Sequence, residues 1–201
     1  MCYQVAAMPS ADAPRIRSPL HFRSSVMQDF RYRAPQIAIH WLVAAVVLFL
    51  LATGMLVLAE LPNNAQKVGN LRIHMILGGL AALLVVARIA LRRRLPAPPP
   101  VQGETLGWLG HLALNLVVLL LAFSGALLVL QSGALDAVLG NGVLPEDFKQ
   151  FLPRKIHGLA ARAAIGLVGL HVLAALYHQL IVKDRLLFRM GLGFGKAGQS
   201  R

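Results

Sequence analysis

The chain is expected to be an all-α membrane protein, a bundle of four transmembrane helices with both termini cytoplasmic. Four long apolar stretches cover residues 36–59, 71–91, 106–131 and 156–182, each near or above the ~20 residues that a bilayer requires. Hydrophobic residues make up 57% of the 201 positions and charged residues only 14%, more apolar than a soluble domain. Lys and Arg are unevenly placed. Of the 20, fourteen fall before the first stretch, between the end of the second (from Arg88) and the third, or after the fourth; five fall at the opposite ends of the stretches (Lys67, Arg72, Lys149, Arg154 and Lys155), and Arg162 lies within the fourth stretch. Basic residues accumulate in cytoplasmic loops, which sets the orientation.

Each element has its own boundary signals. Residues 1–30 are mixed, rich in Arg and Pro and without a continuous apolar core, so a signal peptide is not expected. They read as a disordered extension, or residues 1–26 as the product of a misassigned start, Met27 being an alternative beginning. The membrane domain is expected over residues 31–190, with a short basic tail over 191–201. Leu61-Pro62-Asn63-Asn64 separates the first two helices and a Pro-rich run over 96–100 separates the next two. The third connector, 133–153, carries Gly, Pro and acidic residues, the composition of a loop.

The net charge of +12 raises the question of nucleic acid, since basic clusters are the footprint of phosphate binding. Topology accounts for the charge, and no recognition motif accompanies it. The single cysteine, Cys2, excludes an internal disulfide and the paired-cysteine attachment of covalent haem.

Function is concentrated in the histidines. His40, His74, His157 and His171 lie inside the apolar stretches, where an ionisable side chain is costly and usually has a partner and a role. His157 and His171 are 14 residues apart, a rise of ~21 Å over nearly four whole turns, so they face the same way at two depths. With the topology above, His74 pairs with His157 on the outer side and His40 with His171 on the inner side. Neutral imidazole binds metals through one ring nitrogen, and two axial imidazoles saturate a haem iron. The bundle is therefore expected to enclose two haems. The competing reading of any one such histidine is an interhelical hydrogen bond. A structural zinc ion is disfavoured because four ligands must converge on one point.

Other residues leave two readings open. Gly54 follows His40 by 14 residues and Gly125 follows His111 by 14; with Gly78, Gly79 and Gly166 they make room either for a macrocycle or for close helix packing. His111 could compete with His40 as the inner ligand. His111 and His178 could instead hydrogen-bond haem propionates or a quinone, or simply face interfacial water. Arg72 and Arg88 suit bidentate carboxylate recognition and are candidates for propionates, against plain snorkelling to the interface. Arg162 turns about 140° away from His157 on the helical wheel and is not expected at the same haem face.

The segments Ile39-His40-Trp41-Leu42, Arg72-Ile73-His74, Val86-Ala87-Arg88, Leu109-Gly110-His111, Ile156-His157, Gly169-Leu170-His171 with the stretch to His178, and Lys183-Asp184 resemble the bacterial cytochrome b561 family over residues 31–190. The resemblance implies a cytochrome of the bacterial inner membrane with two b haems, whose axial ligands map onto His40, His74, His157 and His171, exchanging electrons with the quinone pool. One branch of the family oxidises superoxide outside the inner membrane and passes the electrons to ubiquinone. Lys67, Arg72, Lys149, Arg154 and Lys155 on the outer side suit an anionic substrate, diluted by Asp136, Glu146 and Asp147. Arg162 departs from that branch, where a neutral polar residue is expected.

The leading expectation is a dihaem electron carrier with quinone-linked oxidoreductase activity and superoxide as one candidate donor. The alternative is a membrane-anchor cytochrome b subunit passing electrons between a partner dehydrogenase or hydrogenase and quinone, docked through residues 133–153 with Phe148 and Phe151. A cofactor-free transporter is disfavoured because no inverted repeat is evident.

Overall fold

The computed structural model describes residues 31–96, 105–183 and 186–192. The expected extension over 1–30, the basic tail beyond 192, the Pro-rich run beyond Pro96, and Asp184 lie outside the described residues. Those described form helices only: α1 (Ala34–Thr53), α2 (Ala65–Arg94), α3 (Thr105–Ser132), the short α4 (Ala134–Leu139), α5 (Leu152–Tyr177) and the short α6 (Leu186–Arg189). The first continues as a π-helical turn over Gly54–Leu58 and the fifth as another over His178–Val182. The four long units, Ala34–Leu58, Ala65–Arg94, Thr105–Ser132 and Leu152–Val182, are each long and apolar enough to cross a membrane.

Local chemistry explains the boundaries. Pro35 sits in the first turn of α1, and the Arg33 backbone N–H donates to Gln36 Oε1 at 3.0 Å. α2 begins six residues before its apolar stretch because Asn64 caps it, Oδ1 accepting the Lys67 N–H at 3.0 Å. Pro153 occupies the first turn of α5, where its missing N–H costs nothing.

The 133–153 connector is more ordered than a loop composition implies. Gly133 and Gly140 take left-handed conformations, φ 69° and 90°, a region that favours glycine, and they bracket α4. Arg72 donates to the Val138 carbonyl through Nε at 3.1 Å and also through Nη2, so α2 holds the C-terminal end of α4. Asn63 donates to the Pro145 and Glu146 carbonyls at 2.8 and 3.2 Å, fastening the rest of the cap.

At the opposite end the described chain ends meet. The Tyr32 N–H donates to the Arg189 carbonyl at 3.2 Å and Trp41 Nε1 to the Met190 carbonyl at 2.9 Å. Gly191, φ 84°, lies against Ile37, and a Cβ there would come within 3.2 Å of it.

In the bundle α3 packs on α5, α1 on α2 and α2 on α3, whereas α5 makes few close backbone approaches to α1 or α2. Its contact with those two helices is carried by side chains. The outward faces are apolar and open, with Leu83 70% and Phe123 64% exposed, as expected of helices solvated by lipid. Inside, Val47, Ala81, Val85, Val117, Val118, Ala160 and Ala164 form one buried cluster. Small and β-branched residues dominate it, which lets membrane helices pack closely without a hydrophobic driving force.

Candidate functional site

The buried cluster divides the bundle into two polar layers by a repeated spacing. Each spanning helix carries two marked residues 14 apart with a core residue midway: His40, Val47 and Gly54 on α1 and its extension; His74, Ala81 and Arg88 on α2; His111, Val118 and Gly125 on α3; His157, Ala164 and His171 on α5. Seven residues span two turns with a drift of only ~20°, so all twelve positions share inward faces. One layer contains Gly54, His74, Gly125 and His157. The other contains His40, Arg88, His111 and His171.

In the first layer the His74 and His157 rings face each other with centroids 6.2 Å apart and planes at 65°. Each ring leans on a glycine of the neighbouring helix. A Cβ on Gly54 would come 3.3 Å from His74 Cε1, and a Cβ on Gly125 would come 3.3 Å from His157 Cε1. The two glycines thus make room for imidazole edges. Gly78, Gly79 and Gly166 have nothing within 4 Å of a built Cβ, and Gly79 and Gly166 are exposed.

His157 is oriented by α3. Its Nδ1 donates to the Leu121 carbonyl at 3.0 Å and lies 3.2 Å from Ser124 Oγ, while the buried Ser124 hydroxyl donates to Leu120 at 2.7 Å. A carbonyl only accepts, so the proton sits on Nδ1 and the Nε2 lone pair is free. Metal-binding histidines are commonly held in this way. His74 differs: its Nδ1 is buried without a hydrogen-bond partner.

In the second layer the His40 and His171 rings stand 6.3 Å apart at 64°. His111 approaches His171 more closely, at 5.3 Å. Trp41 packs edge-on to His40 at 5.3 Å. Arg88 donates to Asn115 Oδ1 at 3.2 Å, which holds the guanidinium between α2 and α3 beside this layer. His178 lies seven residues beyond His171, within the π-helical turn, its ring 5.9 Å from Tyr177. Ser124 and Asn115 carry no mark in the sequence beyond being polar within an apolar helix. Arg72 donates to the α4 carbonyl, and Arg162 is exposed on α5.

A family model for prokaryotic cytochrome b561 matches residues 31–193. The chain belongs to the prokaryotic cytochrome b561 family. Relatives from three bacteria span nearly the same length. A probable superoxide oxidase CybB of Yersinia pestis is 28% identical over 174 residues, covering 80% of this chain and 95% of the relative. A cytochrome b562 of Cereibacter sphaeroides is 32% identical over 167 residues, covering 81% and 96%. Cytochrome b561 homolog 1 of Escherichia coli is 28% identical over 171 residues, covering 80% and 96%.

Membership implies a membrane b-type cytochrome that transfers electrons through haem b. The donor set suits that group. Haem iron takes axial imidazole, and two metal–imidazole bonds of about 2 Å each, with the rings behind them, place ring centres about 6 Å apart. The 6.2 and 6.3 Å pairs have that separation, whereas the 5.3 Å pair of His111 and His171 is too close.

Proposed function

We propose that the chain moves electrons across the bacterial inner membrane through two b-type haems, one held by His74 and His157 and the other by His40 and His171. The observation that carries this reading is the matched separation of the two ring pairs, 6.2 and 6.3 Å, at two depths of one bundle. Bound haem supplies reversible one-electron chemistry, and the protein supplies position and electrostatics. His157 presents Nε2 because Leu121 holds its Nδ1 proton. Arg88, held by Asn115, places positive charge beside the His40 layer, where carboxylates such as propionates would be stabilised. The apolar layer of Val47, Ala81, Val118 and Ala164 keeps water from the space between the pairs.

Orientation follows the basic residues. The described chain ends meet at the His40 layer, the end bearing Arg31, Arg33, Arg92, Arg93 and Arg94, so that end faces the cytoplasm. The His74 layer then faces outward. Quinone is the proposed electron acceptor, with His111 and His178 near the inner surface as candidate partners for its oxygens. Superoxide is a candidate donor at the outer layer, in keeping with the name of the Yersinia pestis relative and with the cations Lys67, Arg72, Lys149, Arg154 and Lys155.

The test is a reduced-minus-oxidised spectrum with pyridine haemochrome quantitation on the purified chain. Two haems b per chain are expected; one would make one histidine pair structural, and none would sink the reading. Activity is tested separately by superoxide-driven reduction of ubiquinone in proteoliposomes. The ordered cap of α4, tied to α2 by Arg72, favours examining one alternative, a membrane-anchor subunit for a partner dehydrogenase. Co-purification of a large redox partner would support it.

A further inference from the structure

Outside the two histidine layers, the described surface has a basic concavity on α5. Lys149, Arg154, Lys155, Gly158 and Arg162 line a cavity of about 260 Å³. The four cations belong to the end of the bundle that carries His74 and His157. Gly158 is what admits them to one hollow. The Arg154 guanidinium lies over it, and a Cβ at that position would come 3.0 Å from Nη1.

The depth of Arg162 is the informative feature. The spanning unit Leu152–Val182 has 31 residues, about 46 Å at 1.5 Å per residue, longer than the ~30 Å hydrocarbon core. Centring the core on the unit leaves Arg154 and Lys155 among the headgroups and puts the Arg162 backbone within hydrocarbon. Side chains on a helix lean toward its N-terminus, so the Arg162 guanidinium rises toward Gly158, as a snorkelling arginine does. Among the described residues no hydrogen bond or ion pair engages it. The nearest carboxylate in sequence, that of Asp147, accepts the Lys149 backbone N–H at 2.8 Å and makes no ion pair with Arg162 among the described residues. A cation at this depth normally has a partner, and the described residues do not provide one.

We propose that this hollow binds the phosphodiester headgroup of an anionic phospholipid from the leaflet at the His74 end. The chemistry fits in three respects. A phosphodiester offers several acceptor oxygens to guanidinium and ammonium donors. Its acyl chains lie in the hydrocarbon beside the exposed apolar face of α5, where Leu159 is 64% exposed and Ile165 40%. Its phosphate stands at the depth the Arg162 side chain reaches. Basic pockets on membrane helices bind lipid headgroups by the same logic. The inference goes beyond electron transfer; it gives Lys149, Arg154 and Lys155 a lipid partner, where the proposed function counts them among the cations that suit superoxide.

The test uses the full-length chain purified in mild detergent and offered equal phosphatidylglycerol and phosphatidylcholine, with retained lipid counted by native mass spectrometry. One phosphatidylglycerol per chain is expected. Retention should fall about tenfold or more in the double variant Arg154→Gln/Arg162→Gln and persist in Arg162→Lys. A second readout needs no variant: the melting temperature of the wild-type chain should rise when phosphatidylglycerol is added to phosphatidylcholine nanodiscs. Equal retention of the two lipids, or no dependence on Arg154 and Arg162, would overturn the proposal. Inorganic phosphate binding as tightly as phosphatidylglycerol would make the hollow a site for a soluble anion instead. A double variant that slows superoxide-driven reduction with lipid retention unchanged would make it an approach for a small diffusing anion, and would overturn it equally.

Discussion

The Nδ1 of His157 donates to the Leu121 carbonyl at 3.0 Å, whereas the Nδ1 of its facing residue His74 is buried without a partner. Two imidazoles that face each other across one layer are therefore held by different means. α3 fixes His157 through a backbone carbonyl and a neighbouring hydroxyl. His74 lies beside Gly54 with no such bond to hold it.

That difference predicts the outcome of removing the hydroxyl. In Ser124→Ala the Leu121 carbonyl still accepts the His157 proton, so the tautomer survives and one contact to Nδ1 is lost. Haem at the His74/His157 layer should be retained, with affinity lowered toward the small end of the 10–100-fold typical of such supporting residues. Haemin titration of the apoprotein measures it. Complete loss of one haem in a folded variant would mean that Ser124, and not Leu121, sets the ring.

The glycines under the two rings give a sharper prediction. Gly125→Ala places a methyl 3.3 Å from His157 Cε1, closer than ordinary van der Waals contact, on the helix that also anchors the ring through Leu121 and Ser124. The ring cannot move away without stretching the 3.0 Å bond. Gly54→Ala presses on His74 at the same distance, but no hydrogen bond resists that shift. Gly125→Ala should therefore perturb the spectrum of the haem in this layer more than Gly54→Ala does, and Gly125→Val should remove that haem while sparing the other. Low-temperature difference spectra resolve the two centres. Equal loss of both haems would contradict the assignment of Gly125 to one layer.

Much of this arrangement was legible in the chain because helical periodicity does the placing. Apolar runs located the spans, and the 14-residue interval put His157 and His171 on one face. The same interval took Gly54 and Gly125 to the depth of His74 and His157. It could not say that the glycines meet imidazole edges, since that depends on how far apart the helices stand. Gly166 shows the limit: it lies between His157 and His171 in sequence yet is exposed, because nine residues are two and a half turns. α4 escaped notice because six residues are too few to show a period, and its sign was the pair of bracketing glycines. The Arg72 bond to Val138 joins residues 66 positions apart, a relationship that no local pattern carries. Ser124 and Asn115 are single polar residues on apolar helices, and nothing in the sequence separates them from solvated ones.

His111 provides a test of which histidines act as ligands at the inner layer. Its ring is 5.3 Å from that of His171, against 6.3 Å for His40, and only the longer separation leaves room for a metal with both bonds made. His111→Ala should keep two haems per chain, with a shifted midpoint potential for one of them because a polar neighbour has gone. His40→Ala should lose one haem. Pyridine haemochrome quantitation of the two variants side by side decides the matter, and loss of haem in His111→Ala with retention in His40→Ala would exchange their roles.

The apolar layer between the histidine pairs predicts a stability effect that needs no cofactor assignment. Ala164 is 0% exposed and belongs to the cluster with Val47, Ala81 and Val118, midway between His157 and His171. A larger side chain there has no free volume to enter, because packed interiors respond to even one added methylene. Ala164→Leu should destabilise the bundle by about 1–3 kcal/mol, lowering the midpoint of thermal unfolding followed by circular dichroism in detergent. Gly166→Ala, two residues along the same helix, meets nothing within 4 Å. It should be neutral or stabilising by up to about 1 kcal/mol through helix propensity alone. The contrast separates packing from propensity: two variants with equal melting temperatures would mean that the space beside Ala164 is open.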